Sequence, residues 1–326
     1  MAPLSPRALG MTLVMGCAIA TAWCSGGSSP APGGSPASAV SPSPVTPVDP
    51  PVDTPPPVTP LPPPITVTTN WVNIIGDTGF CGSPAMAQLS RLITTLGGTL
   101  LLAGDIAYPS GTVDQFMRCF DPDLGRFKSR SWAAPGNHEY ETAGASGYFT
   151  YFGERAGPER RGYYAIREAT WQVLMLNSNQ PMTRNSPQFE FVRQQLQTNP
   201  ARCAMAVMHH PFDTSGPNGP HPNQRDLWDM MYGLGLDVVV AGHDHIYERH
   251  APQDASQRAD PARGIRLFIA GTGGATPYQK ARSAVRSEVF LSMHGLLRLK
   301  LEPALYEWEF LDVNGSVRDR GLNICH

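Results

Sequence analysis

The residues of this chain best suited to chemistry fall in five short segments. The last is Gly242-His243-Asp244-His245, which runs on into Ile246-Tyr247-Glu248-Arg249. It follows directly on a buried-strand run, Leu236-Asp237-Val238-Val239-Val240. Two histidines two apart at a strand's carboxyl end can turn both imidazoles into one site, and imidazole suits zinc, iron or copper. Alone, His-x-His is weak evidence. Four other strand-then-turn segments end in matching residues: Gly76-Asp77-Thr78-Gly79, Gly104-Asp105-Ile106-Ala107-Tyr108, Gly136-Asn137-His138-Glu139 and Met208-His209-His210-Pro211. A single acidic residue after a strand is more often a turn former or helix cap. Five such segments in one chain are hard to attribute to turns. Together they hold what a two-metal hydrolytic site needs.

Ligand sites in open α/β sheets gather at the carboxyl ends of strands. Strands are predicted over Trp71–Ile75, Leu100–Ala103, Trp132–Ala134, Ala204–Met208 and Asp237–Ala241, each running into one of the five segments. Gly162–Ile166 and Trp171–Leu176 read as strands of a second layer. Ile265–Ala270, Leu296–Leu301 and Leu305–Leu311 also read as strands. Helices are predicted over Pro84–Leu96, stopped by Gly97-Gly98, and over Asn223–Leu234. A third starts at Ser186 as N-cap, with Pro187 at its first position and Phe189, Val192 and Leu196 on one face. The early half alternates strand and helix and the late half is mostly strand. That pattern fits a pair of mixed sheets with helices outside.

The chain has 326 residues and a net charge of −2, so no nucleic-acid footprint is expected. Only 16% of residues are charged, while glycine and proline are abundant, as in a loop-rich exported protein. Residues 1–24 resemble an export signal, with Arg7 the only charge and Ala20-Thr21-Ala22 a candidate cleavage site. A lipoprotein signal is the second reading, with a membrane tether through a lipidated Cys17 or Cys24. The apolar stretch is shorter than the ~20 residues a span requires. Residues 25–65 are Ser, Gly, Pro, Val and Thr with almost no charge, a composition that cannot fold and reads as a spacer. Residues 66–326 form the globular body. Its cysteines, Cys81, Cys119, Cys203 and Cys325, allow three pairings if oxidised. Cys203–Cys325 with Cys81–Cys119 is favoured; free thiols are the alternative.

The five segments resemble the five blocks of the calcineurin-like metallophosphoesterases in their purple acid phosphatase form. Tyr108 after Asp105 and the His-x-His-x-Tyr-Glu-Arg ending mark that form. The resemblance spans about residues 70–320 and departs in having Ala206 where the family has valine. It implies an α/β (α+β) fold, a four-layer αββα sandwich of two mixed β-sheets flanked by helices, with a dinuclear site at the strand ends. By the same resemblance Asp77, Tyr108 and His245 hold one metal ion, Asn137, His209 and His243 hold the other, and Asp105 bridges them. The anionic oxygen set suits Fe(III), and the neutral set suits Zn(II), Mn(II) or Fe(II). The family places the fourth-block ligand two residues before Pro211, which selects His209, and strand alternation would then aim His210 elsewhere.

His138 is expected to contact substrate phosphate or to protonate the leaving group; a structural role is the alternative. Asn137 is expected beside the substrate as well, and Glu139 is expected to orient a neighbouring ligand. His221 either reaches the substrate or is a solvated loop histidine. Tyr247 and Arg249 are read as structural rather than phosphate-binding. Gly271-Thr272-Gly273-Gly274 reads as a tight turn near the site, and Asn177-Ser178-Asn179 as a candidate pocket wall. The expected reaction is hydrolysis of small phosphate monoesters by metal-bound hydroxide, with an acidic optimum. A phosphodiesterase or nucleotidase on the same site is the rival enzyme, and a non-catalytic envelope protein is the rival from another class.

Overall fold

The computed structural model describes residues 70–326. The expected export signal over 1–24, the candidate lipid sites Cys17 and Cys24 and the spacer over 25–65 lie outside the described residues.

Thirteen strands are described. β1 (Trp71–Ile75), β2 (Thr99–Ala103) and β3 (Ser131–Ala134) come first. β4 (Tyr164–Glu168), β5 (Trp171–Met175), β6 (Ala204–Val207) and β7 (Val238–Ala241) follow. Next are β8 (Tyr247–His250), β9 (Arg266–Ala270) and β10 (Ser287–Leu291). β11 (Gly295–Leu301), β12 (Leu305–Asp312) and β13 (Val317–Ile324) close the chain. The first sheet runs β13-β12-β11-β1-β2-β3 and the second β10-β8-β9-β7-β6-β5-β4. Strands β1, β2 and β3 are parallel, as are β5, β6, β7 and β9, and the outer strands are antiparallel. Both sheets are therefore mixed, as expected.

The central parallel strands are buried on both faces, so they read as unbroken apolar runs such as Leu100-Leu101-Leu102 and Val238-Val239-Val240. Period-2 alternation then sorts them into layers. Ile74, Leu101, Val207, Val238, Val240 and Phe310 meet between the two sheets. Ile75, Leu100 and Leu102 face outward, under Met86, Leu89 and Ile93 of the helix Pro84–Leu96. Leu174, Ala206 and Val239 face the other way, under the helices Pro187–Thr198 and Arg225–Gly233. The result is the four-layer αββα sandwich. Ser186 caps its helix as the sequence suggests, its Oγ accepting the Phe189 N–H at 3.3 Å. Gly97, at φ +65°, ends the first helix in a conformation that glycine adopts without strain.

Some boundaries shift. The strand expected over Gly162–Ile166 is Tyr164–Glu168, because Gly162 turns at φ +71°. The helix expected over Asn223–Leu234 is Arg225–Gly233, preceded by a 3-10 turn over Pro222–Gln224. Strands β8, β10 and β13 are additional. β13 is an edge strand whose residues are largely exposed, so its sequence, Val-Arg-Asp-Arg-Gly-Leu-Asn-Ile, carries no core pattern. The disulfides are Cys81–Cys119 and Cys203–Cys325, the favoured pairing. The first ties the turn after Asp77 to the helical segment after Tyr108, and the second ties the start of β6 to the end of the chain.

Leu101 is fully buried between the sheets. Leu101→Ala should cost about 2–5 kcal/mol, whereas Ser186→Ala, which removes one cap, should cost only ~1 kcal/mol. Urea denaturation of both variants beside the parent checks the order.

Candidate metal centre

Five strands of the two sheets deliver their last residues to one end of the sandwich. β1 leads to Asp77, β2 to Asp105, β3 to Asn137, β6 to His209 and β7 to His243 and His245. Asp77, Asp105 and His243 have φ of +56°, +48° and +71°. Left-handed backbone is uncommon outside glycine, and such strain concentrates at functional sites. Each of the three follows a glycine: Gly76, Gly104 and Gly242. Glycine is also required beside the carboxylates. A Cβ on Gly136 would stand 2.1 Å from Asp105 Oδ1, and one on Gly242 would stand 2.6 Å from Asp77 Oδ2.

The side chains converge tightly. Tyr108 Oη lies 3.1 Å from Asp77 Oδ1 and 3.3 Å from Asp105 Oδ2. His245 Nε2 is 3.4 Å from both Asp77 Oδ1 and Tyr108 Oη. His209 Nε2 is 3.0 Å from Asn137 Oδ1, 3.1 Å from Asp105 Oδ2 and 3.2 Å from His243 Nδ1. The His243 backbone N–H donates to Asp77 Oδ2 at 2.8 Å. Asp105 Oδ2 thus stands between the Tyr108 side and the His209 side of the cluster.

Hydrogen bonding on the far side of the rings fixes which nitrogen faces inward. His209 Nδ1 lies 3.0 Å from the Ala103 carbonyl oxygen, and His245 Nδ1 lies 3.0 Å from that of Thr276. A carbonyl only accepts, so both Nδ1 atoms carry hydrogen and both Nε2 atoms turn lone pairs inward when the rings are neutral. His209 Nε2 then faces a carboxylate oxygen and an amide oxygen. Lone pairs held at these distances need positive charge between them, either a proton or a cation. Without a cation the proton takes that place. Burial disfavours the His209 imidazolium, but Asp105 outweighs burial and holds its pKa up to about 9. Burial would raise Asp105, yet His209 and His138 keep its carboxyl well below the usual carboxylate range. Burial, then His209, pushes His243 down to about 3. Burial, with Asp77 and Asp105 nearby, holds the Tyr108 phenol well above its ordinary value.

This donor set fits a pair of cations. Asp77, Asp105 and His209 form one group with ligand atoms within 4.8 Å of one another, and His209, His210 and His243 form another. Hard anionic oxygens lie toward one side and neutral donors toward the other, the division that different metals prefer.

The neighbouring residues support the cluster. Glu139 is fully buried and grips backbone, accepting from Ile106 N at 2.8 Å, Ala107 N at 3.2 Å and Gly136 N at 2.7 Å. It locks the Asp105–Tyr108 turn to the Asn137 turn. His138 lies at the mouth, its side chain 32% exposed and its ring centroid 4.4 Å from that of Tyr108. Its N–H donates to Asp105 Oδ1 at 2.9 Å, and its Nδ1 is bonded to the Pro109 carbonyl. His221 stands farther out, 6.4 Å from His243 between ring centroids and 4.2 Å from His210.

His210 differs from expectation. Alternation would aim it away, but β6 ends at Val207, so the period of two does not extend to residue 210. Its ring lies 4.5 Å from that of His243. Tyr247 and Arg249 turn from the cluster and bind Asp319 of β13, each at 2.7 Å. Gly274 N and Ala275 N bind the Asp77 carbonyl at 2.8 and 3.1 Å, so the glycine-rich turn brackets Asp77. Sequence reasoning missed Tyr278, which stacks on His245 at 4.1 Å, and Asn218, whose Nδ2 donates to the His243 carbonyl at 2.9 Å. Neither lies in a motif block, and no spacing signals them.

Comparison with known proteins agrees with this geometry. Residues 71–247, more than half of the chain, match the family described as calcineurin-like phosphoesterase. The chain belongs to this family. It is 28% identical over 229 residues to purple acid phosphatase 21 of Arabidopsis thaliana, covering 62% of this chain and 50% of that one. It is 27% identical over 202 residues to a phosphoenolpyruvate phosphatase of Allium cepa, covering 54% and 41%. The chain spans about half the length of these curated relatives. Its fold is similar to that of a purple acid phosphatase from yellow lupin (Lupinus luteus) seeds, with a TM-score of 0.65 and 19% identity, covering 77% of this chain and 53% of the other. The family implies a dinuclear metal site, and the Asp and His groups above are the clusters that suit one.

A cation entering this cluster must displace the proton on His209. Because His209 holds that proton up to about 9, competition is strong below that pH and relieved above it. Zn(II) affinity of the metal-free protein should therefore rise as pH rises toward about 9 and level off there. Titration against a competing chelator at each pH measures this.

Proposed function

We propose that the protein is an exported metal-dependent hydrolase of phosphate monoesters. One observation carries the reading: Asp105 Oδ2 stands 3.3 Å from Tyr108 Oη and 3.1 Å from His209 Nε2, where an oxygen-rich anionic set meets a neutral set of imidazoles and an amide. In this reading Asp77, Tyr108 and His245 would hold Fe(III), and Asn137, His209 and His243 would hold Zn(II), Mn(II) or Fe(II). Asp105, close to both sets, would serve both ions. When bound, the cations supply Lewis-acid charge for the phosphoryl oxygens and activate water for in-line attack.

The chain's own residues supply position and protons. Glu139 and the Ala103 and Thr276 carbonyls keep the donor atoms aimed before any cation arrives, so little reorganisation is left for the reaction. His138, with Nδ1 donating to Pro109, offers Nε2 at the mouth. From there it is placed to hydrogen-bond the phosphate or to deliver a proton to the departing oxygen. Asn137 faces the same space, and His221 reaches toward it from the loop before Gln224. Phosphoryl transfer asks mainly for positioning and charge neutralisation, which this arrangement provides. Two disulfides favour an oxidising compartment, and among the described residues no helix is long and apolar enough to cross a membrane.

Asp105→Asn and His243→Ala should each lower p-nitrophenyl phosphate turnover by at least about a thousandfold, with the far-ultraviolet circular dichroism unchanged. Turnover at parental rates in either variant contradicts the assignment. The parent should prefer p-nitrophenyl phosphate to its bis-ester. Iron-loaded protein should absorb visibly through the Tyr108 phenolate, and Tyr108→Phe should abolish that band. A band that survives the substitution excludes the Tyr108 assignment.

A further inference from the structure

We propose that the leaving group of the ester lies in a cavity beside the His209–His243 side of the centre. We further propose that this leaving group is uncharged and rich in hydroxyls, the size of a sugar or nucleoside. The proposal rests on the phosphoesterase reading above and adds the substrate class. The cavity has a volume of about 590 Å3, within the ~300–1,000 Å3 of small-molecule sites.

His210 and His221 form the wall shared with the centre, their rings 4.2 Å apart and His210 4.5 Å from His243. Ser178, Asn179 and Gln180 line it from the segment after β5, and Asn223 and Gln224 line it from the turn before the helix Arg225–Gly233. Met182 adds an apolar patch. These walls are fixed to the centre's own segments. Ser178 Oγ lies 2.7 Å from His210 Nδ1 and accepts the His210 N–H at 3.0 Å. Gln224 Nε2 donates to the His210 carbonyl at 2.7 Å, and Asn179 Nδ2 donates to the Pro135 carbonyl at 3.1 Å, just before Gly136-Asn137.

The charge of the lining selects the ligand. Among the described residues, no lysine, arginine, aspartate or glutamate lines the cavity. Arg184, close by in the chain, is turned onto Asp226 and Asp229 at 3.5 and 3.4 Å. A leaving group carrying a carboxylate or a second phosphate would lose water here and gain no lysine or arginine partner. Amides and hydroxyls offer both donors and acceptors, which is what a polyhydroxylated group requires. A wall built to bond hydroxyls also rejects analogues that lack them.

The test is steady-state kinetics on the metal-loaded full chain. Substrates are p-nitrophenyl phosphate, a hexose 6-phosphate, a nucleoside 5′-monophosphate, phosphoenolpyruvate and pyrophosphate. The hexose and nucleoside esters should exceed phosphoenolpyruvate and pyrophosphate in kcat/KM by about tenfold or more. Asn223→Lys, which adds a cation at an exposed point of the wall, should raise the ratio of phosphoenolpyruvate to hexose phosphate by about fivefold. Gln180→Lys should shift it the same way. If p-nitrophenyl phosphate is hydrolysed but the two classes lie within about twofold, the cavity assignment is overturned and the phosphoesterase reading stands. A ratio unmoved by both lysine variants overturns it equally. No turnover of any ester overturns both.

Discussion

Acceptor atoms crowded against acceptor atoms are the constraint on which this structure depends. Asp77 and Asp105 are buried, and against one donating phenol hydroxyl, that of Tyr108, stand an amide oxygen and the inward nitrogens of three imidazoles. Such a group repels itself unless positive charge lies inside it. The surroundings hold it together. Backbone N–H groups of His138 and His243 donate to the two carboxylates. Left-handed turns at Asp77, Asp105 and His243 aim the side chains, and Gly136 and Gly242 leave room for them. A proton on His209 resolves the repulsion in the metal-free state, and cations would serve several donors at once.

The same logic explains the less conspicuous residues. Glu139 spends its carboxylate on backbone N–H groups and fastens two donor-bearing turns together. Burial and the nearby Asp105 raise its pKa to about 7, so this clamp is itself held under electrostatic load. Asp319 on the last strand does a comparable task at longer range. It receives Tyr247, Arg249 and the Trp308 indole, and so anchors the end of the His-x-His loop to the opposite sheet.

Much of this was legible in the sequence, for physical reasons. Parallel strands buried on both faces must be apolar throughout, so β1, β2, β6 and β7 stand out, and each ends where its chemistry begins. The donor residues lie within two to five residues of those strand ends and could be named in advance. β13 was hidden because an exposed edge strand needs no apolar alternation. His210 escapes alternation because its strand ends at Val207, three residues earlier. The Ala103 and Thr276 carbonyls, Tyr278 and Asn218 were illegible because their contacts join distant segments through backbone atoms or ring stacking, which leave no mark on residue type. The cavity walls at 178–182 and 223–224 come together only through the packing of the second sheet against its helices.

The cluster draws Asp77, Asp105 and Asn137 from the first sheet and His209, His243 and His245 from the second. It therefore straddles the seam of the sandwich. A cation held by both sets would be an inorganic rivet between two halves that also meet through side-chain packing and backbone bonds such as Gly76 N–H to the Ala270 carbonyl at 2.8 Å. Sliding one sheet across the other would pull the rivet's anchorages apart. Capacity to retain metal would then report whether the halves have mated correctly, and a chain maturing in a metal-poor compartment would lack that fastener.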